Sequence, residues 1–232
     1  MILNTRMNRK MDISNWNLYY KTHETENRPT TTQMCYEPRV NPENNVFCMN
    51  FCYPCNYQTN QPRLSYTQEL VDTMFDRELK YLNLFQSKPW APEILEIKDK
   101  KIFIKWYGRT CNDMQYRDCA LNKLFPNWYD DIKSIILDQV KMGYLKSSMY
   151  PHSHYYDNQG QMRAIDFYTT VEQSTPYLTK NQILGLIGTD TNRFNDAAEN
   201  DLINVETIFK SGLLSYSRWP INLTEIYNTI YE

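Results

Sequence analysis

Three groups of side chains have the types and spacing that chemistry needs. Pro151-His152-Ser153-His154 places both imidazoles on one face if the segment is extended, since alternate residues of a strand point the same way. Histidine titrates near neutral pH and ligates metals. With the carboxylate of Asp166, the pair could form a small metal or proton-transfer site, with Asp166 and His154 as metal ligands. The plainer alternative is two hydrogen-bonded structural histidines. Cys48-x-x-x-Cys52-x-x-Cys55, with Cys35 upstream, could offer four thiolates to zinc. Only Cys52-x-x-Cys55 has standard zinc spacing, so a set of reduced thiols in a Cys-rich sheet competes with that reading. Cys111 and Cys119 lie far along the chain and read as core residues. Lys98, Lys100, Lys101 and Lys105 precede Trp106 and Tyr107, a pattern that could hold phosphates and stacked bases. Glu93, Glu96 and Asp99 dilute that charge, and a solvated turn is the competing account.

Composition removes whole classes of function. The chain has 232 residues, with 25 Lys and Arg against 27 Asp and Glu, a formal charge of −2. That balance argues against a dedicated nucleic-acid binder. Only 6 residues are Gly, at 108, 143, 160, 185, 188 and 212. No P-loop, Rossmann fingerprint or standard kinase glycine loop can be written in such a chain. The G-x-S-x-G elbow and H-E-x-x-H are absent as well. No apolar run approaches the roughly 18 residues of a membrane helix, and the first residues have no continuous apolar stretch of the secretory kind. These features predict a soluble, cytoplasmic protein with mostly reduced cysteines.

The elements that must position these side chains fall in two halves. Residues 1–63 are punctuated by five prolines and show short strand-like pieces at Trp16–Lys21, Met34–Val40 and Asn45–Phe51, with a turn at Asn41-Pro42. Residues 66–86 carry Leu70, Met74, Phe75, Leu79, Leu82 and Phe85 at helical spacing, and Pro89 and Pro92 follow. Strands are predicted at Glu93–Ile97 and Lys101–Tyr107, around a charged turn that lacks Asn-Gly or Asp-Gly chemistry. A helix is predicted over Asn127–Met142, between Pro126 and Gly143. A hairpin is predicted from His154–Asp157 and Met162–Phe167 around Asn158-Gln159-Gly160. Further helices are predicted at Asn181–Gly188, Asp196–Lys210, with Gly212 as its cap, and about 222–231. Strands before helices indicate an α+β chain.

That order, with three local patterns, resembles a small, divergent protein-kinase-like fold. Phe75-Asp76-Arg77-Glu78-Leu79-Lys80 is similar to the helix of the small kinase lobe, where a Glu faces the phosphate-binding Lys. Ala91–Ile97 and Ile102–Gly108 are similar to the strand pair that leads into the kinase hinge. Gly143-Tyr144-Leu145-Lys146 through Ile165-Asp166-Phe167-Tyr168 resembles the catalytic loop, its hairpin and the Asp-Phe-Gly segment. The resemblance covers about 16–210 and is nearer to kinase-like proteins of phages and large DNA viruses than to cellular kinases. It implies a two-lobed fold, a sheet-rich lobe over 1–108 and a helical lobe over 109–232. It implies ATP and Mg²⁺ as cofactors in the cleft, Asp166 as metal ligand, and Glu78, Trp106, Tyr107 and Asp166 as cofactor-binding residues.

The sequence departs from that pattern where phosphates are handled. The strand that should carry the Lys reads Val46-Phe47-Cys48-Met49-Asn50-Phe51, with Met49 nearest the position. The catalytic Asp position falls on Ser148, the metal-binding Asn position on Ser153, the first catalytic-loop His position on Lys146, and the Gly after Asp-Phe on Tyr168. A serine hydroxyl cannot replace a carboxylate as base. The expectation is a catalytically impaired kinase-like protein that binds a host or viral protein, with nucleotide held in the cleft. The alternatives are an active atypical phosphotransferase, with Asp166 on the metal and His154 or Lys146 as substitute catalytic groups, and a zinc-stabilised interaction module.

Overall fold

The computed structural model describes residues 13–18, 37–52, 68–111, 113–114, 119–146, 149, 151–175, 177–179, 182, 198, 200–204, 219 and 226. An antiparallel sheet comes first: β1 (Asn17–Leu18), β2 (Glu37–Asn41), β3 (Val46–Asn50), β4 (Ile94–Lys98) and β5 (Lys101–Lys105), in the spatial order β1-β2-β3-β5-β4. Helix α1 (Gln68–Phe85) lies between β3 and β4 in the chain.

Alternation along the strands sorts their side chains onto two faces. Phe47 and Met49 of β3 and Ile102 and Ile104 of β5 join the main core with Val71, Met74, Tyr81, Leu82 and Phe85 of α1. Val46, Cys48 and Phe103 face the other way, under Ile13 and Trp16. The buried positions of α1 therefore fall at 71, 74, 78, 81, 82 and 85, one stripe at helical spacing. Glu78 is the single carboxyl group at those positions.

The β4–β5 turn is tighter than its sequence suggests. Asp99 and Lys100 both adopt positive φ, 49° and 58°, the geometry of a two-residue hairpin turn usually given to Asn-Gly. Lys100 pairs with Asp72 of α1, which ties the turn to the helix.

The second half adds α2 (Leu121–Leu124), α3 (Trp128–Lys141), β6 (Tyr144–Lys146), β7 (His154–Tyr156), β8 (Met162–Ala164) and β9 (Thr170–Glu172). Trp128, Ile132, Ile135, Ile136 and Gln139 make the buried face of α3. Gly143 ends that helix at φ 82°, where a side chain would be strained, and its N–H bonds Val140 O at 2.9 Å. β6 pairs with β9 and β7 with β8, each antiparallel. In the β7–β8 turn Asp157 accepts from the N–H groups of Gln159 and Gln161, and Gly160 takes φ 76°.

Three sequence expectations are corrected here. Cys119, read as a core residue, is exposed. Residues 202–204, predicted within a helix over Asp196–Lys210, form β11 (Leu202–Asn204), antiparallel to β10 (Tyr177–Thr179). Cross-strand pairing of Leu178 with Ile203 overrides a local helical pattern. The strand predicted over Met162–Phe167 stops at Ala164, because Asp166 turns the chain into a 3-10 turn at Phe167–Thr169. The helices predicted at Asn181–Gly188 and about 222–231 lie outside the described residues except at Gln182 and Ile226, both helical.

Candidate functional site

Three elements deliver ionisable side chains to one buried place beside Phe167. Helix α1 supplies Glu78, which is 0% exposed. Its Oε2 accepts the Tyr168 N–H at 2.6 Å, while Oε1 meets no hydrogen-bond partner among the described residues. Burial, reinforced by the negative charge of Asp166, raises its pKa from 4.5 to about 8, against the opposing pull of the Tyr168 N–H and Lys146.

Strand β6 supplies Lys146. Its N–H donates to Gln139 Oε1 at 3.0 Å, and the register sets it opposite Thr170 of β9. The side chain is 1% exposed, with Nζ 6.0 Å from the centre of the Phe167 ring. Burial lowers its pKa to about 8, and the charges of Asp166 and then Glu78 oppose that fall.

Asp166 lies two residues beyond β8 and is 2% exposed. Its backbone is left-handed, φ 65° and ψ 45°, a conformation that L-residues seldom take. The Ser153 hydroxyl donates to Asp166 Oδ2 at 2.5 Å, the Thr169 hydroxyl donates to Asp166 O at 3.0 Å, and Ile165 N–H donates to Ser153 O at 2.9 Å. Arg77, next to Glu78 on α1, donates to Tyr168 O at 2.8 Å and Thr170 O at 2.5 Å. Helix α1 thus grips both the N–H and the carbonyl of Tyr168.

No family model matches the sequence, and no curated protein matches it. Solved structures of WbdD do. The co-crystal structure of WbdD with the kinase inhibitor LY294002 is similar over 86% of this chain and 44% of that chain, with a TM-score of 0.43 and 14% identity. The structure of the bifunctional kinase-methyltransferase WbdD is similar over 85% of this chain and 42% of that one, with a TM-score of 0.44 and 14% identity. A 2.2 Å structure of WbdD gives 89%, 45%, 0.43 and 15%. The chain spans less than half the length of these structures.

The remaining predicted site residues occupy other surroundings. His154 of β7 is fully buried, with its ring 5.7 Å from that of Trp219, which stacks on Trp128 at 5.1 Å. Trp106 lies between Phe47 at 5.0 Å and Tyr155 at 4.8 Å, so its ring faces serve the core. Tyr107 is partly buried against the same core. His152 stands in the 3-10 turn Pro151–Ser153. Cys48 is buried and Cys52 accepts from Asn50 Nδ2 at 3.3 Å, while Cys35, Cys55 and Ser148 lie outside the described residues.

A Mg²⁺ ion binds carboxylate oxygens while keeping most of its own water. Asp166 has one oxygen bonded to Ser153 and almost no contact with solvent. Among the described residues no group of three His, Cys, Asp or Glu is arranged to hold a metal. As placed here, Asp166 leaves little room beside it for a hydrated ion.

Arg77 and Gln139 were not singled out from the sequence. Arg77 had a usable signal, since a basic residue beside a Glu in an apolar stripe must leave the helix at the edge of the same contact. Gln139 had one too, as a polar residue on the buried face of α3.

Proposed function

We propose that the chain is a kinase-like protein with an impaired site, which acts through a protein partner, host or viral, rather than by turnover. The order of elements supports it: a sheet, one long helix, a strand pair, a helix, and a short hairpin leading to Asp166-Phe167-Tyr168. One observation carries the impaired part. The Asp-Phe-Tyr segment is bonded at both ends, by Ser153 to Asp166 and by Glu78 to the Tyr168 N–H, and Asp166 and Phe167 are buried. Glu78 spends an oxygen on backbone, and β3 presents the fully buried Met49 where a lysine would be needed.

Phosphoryl transfer depends on positioned cations around the phosphates. Here the acids are closed inward, and no glycine-rich loop precedes residue 108 to wrap phosphates. Thermal-shift titration of the full chain tests this, because a ligand that binds only the folded state raises the melting temperature. The expected result is that Mg²⁺ adds nothing to any shift seen with millimolar ATP alone. A Mg²⁺-dependent rise of several degrees, abolished in Asp166→Asn, would favour the active phosphotransferase instead.

A further inference from the structure

We infer that Lys146 is a resident cation of this site, a positioning residue that holds Asp166, and beyond it Glu78, from the β6 side. The inference rests on the kinase-like reading only for what the cation replaces, namely a lysine on β3 and a metal at Asp166.

Burying an ammonium is costly unless a charge compensates it. Lys146 is nonetheless 1% exposed, at the end of β6, and its direction is fixed by its surroundings. Its N–H is held by Gln139 from α3, and its register partner is Thr170 of β9. Its ammonium comes within 6.0 Å of the ring of Phe167, the residue between Asp166 and Tyr168. Around that turn the structure supplies two buried carboxyl groups, Asp166 on the Ser153 side and Glu78 on the α1 side. They are also the two groups whose charges support the protonated form of Lys146, with Asp166 the stronger.

Two positions near Glu78 supply no such charge to it. Arg77, the neighbour of Glu78, spends its guanidinium on the carbonyls of Tyr168 and Thr170. Position 49 on β3 is methionine, in the apolar face that packs with α1. With the ammonium in place, the left-handed Asp166 is held at its side chain by Ser153 and by charge. Without it, two carboxyl groups would share one dry pocket, and like charges in such a pocket repel.

A double-mutant cycle on the full chain reads this directly. The variants are Lys146→Met, Asp166→Asn and both together, with melting temperature as the readout. Lys146→Met keeps the length of the side chain and removes its charge. Asparagine keeps the left-handed backbone and can accept the Ser153 hydroxyl. Breaking a buried charge pair from one side should lower the melting temperature by roughly 6–15 °C in a chain of this size. In the Asp166→Asn background, Lys146→Met should cost less than half of that, since the partner is already gone. Additive losses would overturn the inference. Should Lys146→Met not fold, Asp166→Asn alone decides, because it strands the ammonium: a fall supports the inference, and an unchanged or raised melting temperature overturns it. Additivity would leave the kinase-like reading standing, whereas Mg²⁺-dependent transfer by the wild-type chain would sink the impaired reading and leave the cycle untouched.

Discussion

Asp166 takes a left-handed backbone that few L-residues adopt, and its neighbours set that geometry. Ser153 fixes the carboxylate and Thr169 the carbonyl. Asn and Asp tolerate this region better than other side chains. Asp166→Ala should therefore destabilise the protein by ~1 kcal/mol more than Asp166→Asn, measured by urea unfolding. Equal losses would mean that the backbone conformation carries no strain. Glu78 gives a pH prediction with a definite sign. Its folded pKa of about 8 stands above its ordinary 4.5, so the folded protein binds this proton more tightly than the unfolded chain. The associated stability is fully present below pH 4.5 and is lost as pH rises through about 8. Glu78→Gln has no such term. The melting temperature of the variant minus that of wild type should rise between pH 5.5 and pH 8, and a flat difference would contradict the burial argument.

Between elements, α1 is joined to the segment 167–172 by several side chains. Arg77 bonds two carbonyls there, Glu78 one N–H, and Lys80 pairs with Glu172 at 2.7 Å. These contributions differ by exposure. Arg77→Ala should accelerate amide exchange through 167–172 and lower the melting temperature by about 4–8 °C, from the loss of two charge-assisted bonds. Lys80→Ala should move it by less than about 3 °C, since both partners of that pair are well exposed. Equal effects would show that the ion pair, and not the backbone grip, holds the joint. Much at this scale was legible in advance. The stripes of α1 and α3 are local and periodic, and Gly143 and Gly160 mark turns that need positive φ. Ser153 meeting Asp166, or Leu178 pairing with Ile203, depends on chain segments brought together from a distance, and no local period reports that. The strands around Asp99-Lys100 were legible, but their tight two-residue turn was not, because it lacks the Asn-Gly chemistry that usually marks one.

Across the molecule, the β7–β8 hairpin is fastened to the link between α1 and β4. Arg163 of β8 bonds Asp157 Oδ2 at 2.9 Å and the carbonyls of Pro89 and Ala91, and Ala164 N–H donates to Trp90 O. The Trp90 indole in turn donates to Asp138 of α3 at 2.8 Å. Burial works against the Asp138 carboxylate, but the bonds from Trp90 and Lys88 outweigh it and hold its pKa below the usual value. These links bring sheet, helix and hairpin to bear on Asp166, and they leave it facing inward. Among the described residues no helix is long and apolar enough to cross a membrane. The order of strands, long helix, strand pair, helix and hairpin was readable in the sequence. Closure of the site was not, because it depends on which rotamers Glu78, Lys146 and Ser153 adopt together. The most direct test of the account is a γ-phosphate transfer assay on the full chain with ATP, Mg²⁺ and a generic protein acceptor, run beside Asp166→Asn. The account predicts no transfer above that of the Asp166→Asn control. Sustained transfer by the wild-type chain that disappears in the variant would contradict it.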